Sequence, residues 1–247
     1  MLRWFWHDAM YIMNVSVLGI GWINTDEYGC LGQGSRFKRE DGTPPIPLYE
    51  GDKGGGLHRK GIFSYAFKNF ARLDNISKLT CYAVALALKD AGIEYSVDQK
   101  QDMGIIGTSR KGSLQSDANY FNDYLKCGRG LARGNLFIYT LPSSPLGEAA
   151  IHFGLQGPLL YVTAADKPLQ AALNTASEMI LLDESPAMLA GMAEGDEAVY
   201  FVLARNSDSR QHVLCDVARA RAILGKDMIF SKMIKEFSSL KEQKGQE

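Results

Sequence analysis

The chain has 247 residues, 46% of them apolar and 22% charged, with a formal net charge of −1. That composition belongs to a globular protein able to bury a core. So neutral a balance gives no reason to expect nucleic acid or an anionic membrane surface as a partner. Four scattered cysteines, Cys30, Cys81, Cys127 and Cys215, lack CxxC spacing and read as reduced thiols, not a metal site or disulfide framework. No apolar run approaches the roughly 18 residues of a membrane span. The expectation is a cytoplasmic protein with no cofactor and no metal.

Residues 1–12 read as an N-terminal extension, because Asp8 interrupts the aromatic start and no small-residue cleavage site follows. Val15–Ile20 is the first strand and runs into Gly19-Ile20-Gly21. Without a third glycine opening a helix, that GxG is a poor dinucleotide signature. From Trp22 to Asn69 there is no sustained periodicity, only a long connection rich in glycine and proline. Within it, Gly51–Gly61 (GDKGGGLHRKG) clusters amides with Lys53, Arg59 and Lys60, which could cradle a phosphate. It lacks P-loop spacing and a helix directly behind it, so a surface loop is the plainer reading.

Asp74–Ala91 is a helix with Ile76, Leu79, Ala83 and Leu86 at helical spacing and Gly92 as its stop. Met103–Gly107 is the next strand. Leu114, Ala118, Phe121 and Leu125 make the apolar stripe of a second helix ending near Gly128. Ser144, Pro145 and Gly154 bracket a short helix with Leu146, Ala149, Ala150 and Phe153 inward. Leu159–Val162 then reads as a buried strand that breaks at Thr163-Ala164-Ala165-Asp166. The following helix puts Leu169, Ala172, Leu173, Ala176, Met179 and Ile180 on one face, with Asp166 as N-cap and Pro168 in the first turn. At such a strand-to-helix turn the helix amides favour a thiolate or an oxyanion. The position best placed for a nucleophile is Ala165, a methyl group with nothing to donate or attack.

Ala187–Ala193 and Ala198–Ala204 are two strands joined by a tight turn through Glu194–Glu197, and Val213–Ala218 reads as one more. Met228–Leu240 is amphipathic and reads as a packed helix. The order of strands and helices is α/β without an internal repeat. Residues 13–224 form one domain, and 225–247 a C-terminal amphipathic helix and tail.

Five segments in order carry a resemblance. They are Arg72-Leu73-Asp74, the helix ending Asp90-Ala91-Gly92-Ile93, Gly104–Ser109, Phe153-Gly154-Leu155-Gln156-Gly157-Pro158, and Leu189–Gly195. Together, over roughly Val15–Arg205, the chain resembles the N-terminal half of the β-ketoacyl synthases of the thiolase superfamily. The resemblance implies a single half of a thiolase-like layered fold, a mixed sheet with flanking helices. It also implies a Thr-Ala-Cys nucleophile motif just past the Gly-Pro strand, which reads Thr163-Ala164-Ala165 here. Alanine cannot form the acyl thioester on which condensation depends. The family's two histidines of the C-terminal half have no match among His7, His58, His152 and His212. No residue is therefore expected to be catalytic.

The resemblance points to a companion of a full-length ketosynthase, similar to a chain-length factor or to the short ketosynthase-like subunit of aryl-polyene-type systems in fatty acid or polyketide biosynthesis. Its partner would be that ketosynthase in a heterodimer, with acyl carrier protein met only indirectly. Leu159, Tyr161, Val162 and Thr163 would belong to an edge strand seeking a mate. Phe121, Tyr124, Phe137, Tyr139 and Tyr161 would line the acyl tunnel. At ~25 cal/mol/Å², covering about 800 Å² of exposed apolar face corresponds to roughly 20 kcal/mol before the costs of association. Two other readings stay open. One is a homodimeric interaction module. The other is an acyl-transfer enzyme of altered chemistry using Cys81, Cys127 or Ser109.

Overall fold

The computed structural model describes residues 15–31, 36–38, 62–128, 133–206 and 213–244, the backbone alone for 36–38 and 241–244. The glycine-rich segment 51–61, the start of the chain, and His7, His58 and His212 lie outside the described residues. The strands are β1 (Val15–Ile23), β2 (Glu27–Cys30), β3 (Arg36–Lys38), β4 (Gly104–Thr108), β5 (Leu159–Tyr161), β6 (Ala187–Glu194), β7 (Glu197–Arg205) and β8 (Cys215–Asp216). The helices are α1 (Asn75–Asp90), α2 (Leu114–Cys127), α3 (Gly134–Phe137), α4 (Ser144–Phe153), α5 (Pro168–Leu181), α6 (Val217–Leu224) and α7 (Phe230–Lys244). They build one mixed eight-stranded sheet in the order β3-β2-β1-β7-β6-β4-β5, with β8 pairing beside β1.

Side-chain parity along β1 explains the two layers. Val15 and Val17 face the same layer as Ile20 and Trp22, although a strict alternation would put the two pairs on opposite faces. The register shift between Val17 and Gly19 is the bulge that reconciles them. Just past it, the Ile20 amide donates to the carboxylate of Asp90 at 2.8 Å, tying the C-terminus of α1 to the strand.

On one face lie α1 and α4, packed with Leu18, Ile23, Ile105, Leu189, Tyr200 and Val202 of the sheet. The other face carries α5, α6 and α7 against Ile106, Met188, Phe201 and Leu203. Helix α1 sits directly on β1. A Cβ on Gly21 would fall 2.2 Å from the Ala87 nitrogen, so the GxG of β1 is a helix-packing feature and not a nucleotide cradle. Asp74 caps α1 as the spacing predicts, accepting from the Ser77 amide at 2.8 Å, and Gly92 follows it at φ 69°.

Several expectations need correction. The stretch after Trp22 contains two strands, β2 and β3, paired antiparallel as Tyr28 with Phe37. Their alternation is too short to register as a period. The segment read as a strand over Val213–Ala218 is a two-residue strand followed by helix α6. There Asp216 accepts the Arg219 amide as N-cap and buries Val217, Ala220, Ile223 and Leu224 on one side. The N-cap of α5 is Lys167 in the left-handed region, φ 48° and ψ 56°, not Asp166, while Pro168 holds the first helical position as expected. The strand read as buried over Leu159–Val162 is three residues long and lies at the sheet edge, with Leu159 exposed. No helix is long and apolar enough to cross a membrane among the described residues.

Candidate functional site

The Gly157-Pro158 step sets β5 against β4. A Cβ on Gly157 would meet the Gly104 nitrogen at 2.5 Å, so only glycine lets the backbones approach this closely. From there Leu159, Leu160 and Tyr161 run parallel to Ile105, Ile106 and Gly107, and the Val162 amide adds one further bond to the Gly107 carbonyl at 3.0 Å. Among the described residues, no strand lies beside the outer side of β5.

The turn that follows leaves Thr163, Ala165 and Asp166 exposed. Lys167 then takes a conformation that an L-residue adopts only at some cost. Its ammonium donates to the Gly225 carbonyl, and Gln170 Nε2 donates to the Arg221 carbonyl at 3.1 Å, so the end of α6 holds the first turn of α5. Ala165 stands in this turn with no thiol near it in sequence. Cys81 is fully buried in α1, where desolvation pushes its thiol well above the ordinary range. Cys30 and Cys215 are buried, and Cys127 is exposed at the C-terminal end of α2. His152, the one histidine among the described residues, is enclosed by Phe63, Tyr65, Phe67 and Tyr95.

A cleft of about 420 Å³ opens beside β5 between the start of α1, the loop leading into α2, the α3–α4 connection and the β6–β7 turn. Tyr139 and Tyr161 both line it, with Ser109, Asp74, Ser116 and Glu194. Asp74 links two walls, accepting Ser116 Oγ at 3.1 Å with the oxygen that does not cap α1. Glu194 accepts the Arg110 amide at 3.0 Å. Burial, with Glu148 and Asp74 nearby, pushes the Tyr139 phenol up to about 12, so it stays protonated at neutral pH. Burial and the neighbouring Asp74 raise Glu148 as well. Ser109 bonds Tyr161 and the Gly112 amide, neither of which is a base. The cleft can bind and orient through hydroxyls that are themselves held by hydrogen bonds.

The other named positions divide. Phe121 and Phe137 are exposed and Tyr124 is half-buried. Val162 is half-buried against the α5 layer. Helix α2 is exposed over most of its surface, with Ser116, Tyr120 and Tyr124 half-buried. Asp123 is its buried residue, held by Arg133 at 2.7 Å, and Tyr120 packs near Phe137 at 5.4 Å. In the apolar stripe read from the sequence, Leu114, Phe121 and Leu125 are 60%, 58% and 63% exposed. Leu141 and Ile138 continue the exposed apolar surface. Periodicity marks an apolar face without saying what covers it. Sequence reasoning missed the Asp74–Ser116 link. Among the described residues no group of three His, Cys, Asp or Glu side chains is placed to hold a metal.

Residues 53–219 match the family model described as β-ketoacyl synthase, N-terminal domain. Nodulation protein E of Rhizobium leguminosarum bv. trifolii is 28% identical over 149 residues, covering 58% of this chain and 36% of that protein. The chain thus spans about a third of the length of that curated relative. Among solved structures, the ishigamide ketosynthase/chain length factor is similar with a TM-score of 0.56 at 17% identity, over 81% of this chain and 64% of that one. A type II polyketide synthase acyl-carrier protein in complex with its ketosynthase bound to the hexaketide gives 0.55 at 15% identity, over 82% and 61%. A β-ketoacyl synthase from Burkholderia phymatum STM815 gives 0.53 at 17%, over 78% and 59%. At these identities the structures share the fold with this chain, and the mixed sheet with helices on both faces is the arrangement held in common.

Proposed function

The chain belongs to the β-ketoacyl synthase family by its N-terminal domain, and from that membership we propose that it is a non-catalytic partner subunit of a full-length ketosynthase. The observation that carries this reading is the apolar stripe of helix α2, Leu114, Phe121 and Leu125, which stands exposed on the surface. A soluble surface does not keep such a stripe without a use for it. The edge of β5, unpaired among the described residues, adjoins the cleft that α2 helps to wall, so strand pairing and apolar burial would act on neighbouring surfaces.

Ala165 supports the non-catalytic part. A methyl group in the strand-to-helix turn cannot carry an acyl thioester. In this role the subunit bounds the acyl tunnel, with Tyr139 and Tyr161 on the cleft wall and Phe121 and Phe137 toward the partner. Acyl carrier protein would be met only through the ketosynthase. A pairing of this kind is in keeping with the ishigamide ketosynthase/chain length factor, to which the chain is similar in fold. The test is to express a full-length ketosynthase from the same genome with and without this chain and compare product lengths. A changed length distribution or a rescued activity is expected; identical products in both cases would contradict the proposal.

A further inference from the structure

The cleft contains a hydrogen-bond donor that the protein itself leaves unused. Ser109 Oγ accepts the Gly112 amide at 2.8 Å and shares a 2.7 Å bond with the Tyr161 hydroxyl. Two hydroxyls bring two protons, and the bond between them consumes one. If Tyr161 donates, the Ser109 proton is left; if Ser109 donates, the Tyr161 proton is left. Neither hydroxyl has a further partner among the described residues. Ser109 is only 7% exposed, and both side chains line the cleft.

Such a donor makes the cleft selective. A ligand that displaces water without offering an acceptor strands a buried O–H, whereas one with a suitably placed oxygen satisfies it. Ile76, Leu114, Leu141 and Pro142 supply apolar wall along the same cleft, and about 420 Å³ lies in the range of small-molecule sites. The requirements are therefore an apolar chain bearing an acceptor oxygen.

We propose that the Ser109–Tyr161 pair recognises a carbonyl oxygen on an acyl chain seated in this cleft, so that the ligand class is an oxo-bearing acyl chain and not a fully reduced alkyl one. This rests on the reading that the cleft bounds a growing acyl chain, but it makes a separate claim. The orientation of Ser109 is fixed by the Gly112 amide, so the pair is pre-set before the ligand arrives.

The experiment compares binding of 3-oxooctanoyl-pantetheine and octanoyl-pantetheine by calorimetry, on the chain alone and on any complex it forms with a full-length ketosynthase. The wild-type chain should favour the 3-oxo thioester about fivefold, the size of one neutral hydrogen bond to a buried partner. Ser109→Ala combined with Tyr161→Phe should erase that preference by weakening the 3-oxo ligand alone. Tyr161→Phe by itself keeps the ring packing and serves where the double variant does not fold. Equal affinities in the wild type, a preference that survives in the variants, or no binding in either setting would overturn the proposal. A chain that shows the preference yet does not associate with a ketosynthase refutes the partner-subunit reading and leaves this one standing; association without the preference does the reverse.

Discussion

The ring of Phe67 lies parallel to that of His152, centroids 3.8 Å apart and planes within 12°. Tyr65 packs on the same imidazole at 4.5 Å, and Nε2 of His152 is buried without a hydrogen-bond partner among the described residues. The histidine is thus a packing residue of the α1–α4 layer, held neutral.

A pH dependence follows. Burial lowers His152 from its ordinary 6.5 to about 4. The unfolded chain takes up a proton as pH falls through 6.5, and the folded chain does so only near 4. The stability this group contributes is complete above pH 6.5 and is lost between there and pH 4. At about 1.4 kcal/mol per pH unit of difference, the loss is on the order of 2–3 kcal/mol. Urea unfolding at pH 7 and pH 4 should show the wild type losing that much more than His152→Phe, which keeps the stack and cannot titrate. Equal losses in the two proteins would mean that another group carries the acid sensitivity.

Gly21→Ala tests the close seat of α1 on β1. Its Cβ would meet the Ala87 nitrogen at 2.2 Å and the Ala83 carbonyl at 2.3 Å, both backbone atoms that cannot swing away. The variant should lose about 3 kcal/mol or more, or fail to fold, because helix and strand must separate. A midpoint of denaturation within error of the wild type would show that α1 does not sit where it is described.

What the sequence made legible depended on whether one segment's pattern was enough. Asp74, Gly92, and the periodic apolar residues between them define α1 locally, and the apolar run of β6 and the β-branched and aromatic run of β7 declare themselves around the Gly195 turn. The Val213–Ala218 stretch misled because Val213, Cys215 and Val217 alternate like a strand. The deciding contact is Asp216 capping Arg219, visible only as a lone acidic residue in sequence. Strands β2 and β3 depend on each other and on β1, so neither has a signature alone. In the site, Ala165 was readable as an absence, while the meeting of Ser109 with Tyr161 spans 52 positions and needed the β4–β5 register to bring it about.

The outward stripe of α2 makes a prediction that separates folding from association. Phe121→Ser and Leu125→Ser remove apolar side chains that stand mostly exposed. Each should shift stability by less than about 0.5 kcal/mol. Each should weaken association with a ketosynthase by about tenfold or more if these residues are buried at its centre. Unchanged association in the double variant would remove α2 from the interface.

Phe237→Ala should do the opposite. Phe237 of α7 is fully buried with its ring 5.1 Å from Phe201 of β7, so truncation opens a cavity in the α5–α7 layer. A loss of about 3–5 kcal/mol in denaturant unfolding is expected, with any folded protein still able to associate. A loss below about 1 kcal/mol would place α7 off the core.

Association with a full-length ketosynthase is the defining property of a partner subunit that carries Ala165 in its strand-to-helix turn. Native mass spectrometry of this chain co-expressed with a full-length ketosynthase measures it most directly. A complex containing one copy of each, lost on combining Phe121→Ser with Leu125→Ser, is the predicted result. Two species that never share a peak, with this chain alone or paired only with itself, would contradict it.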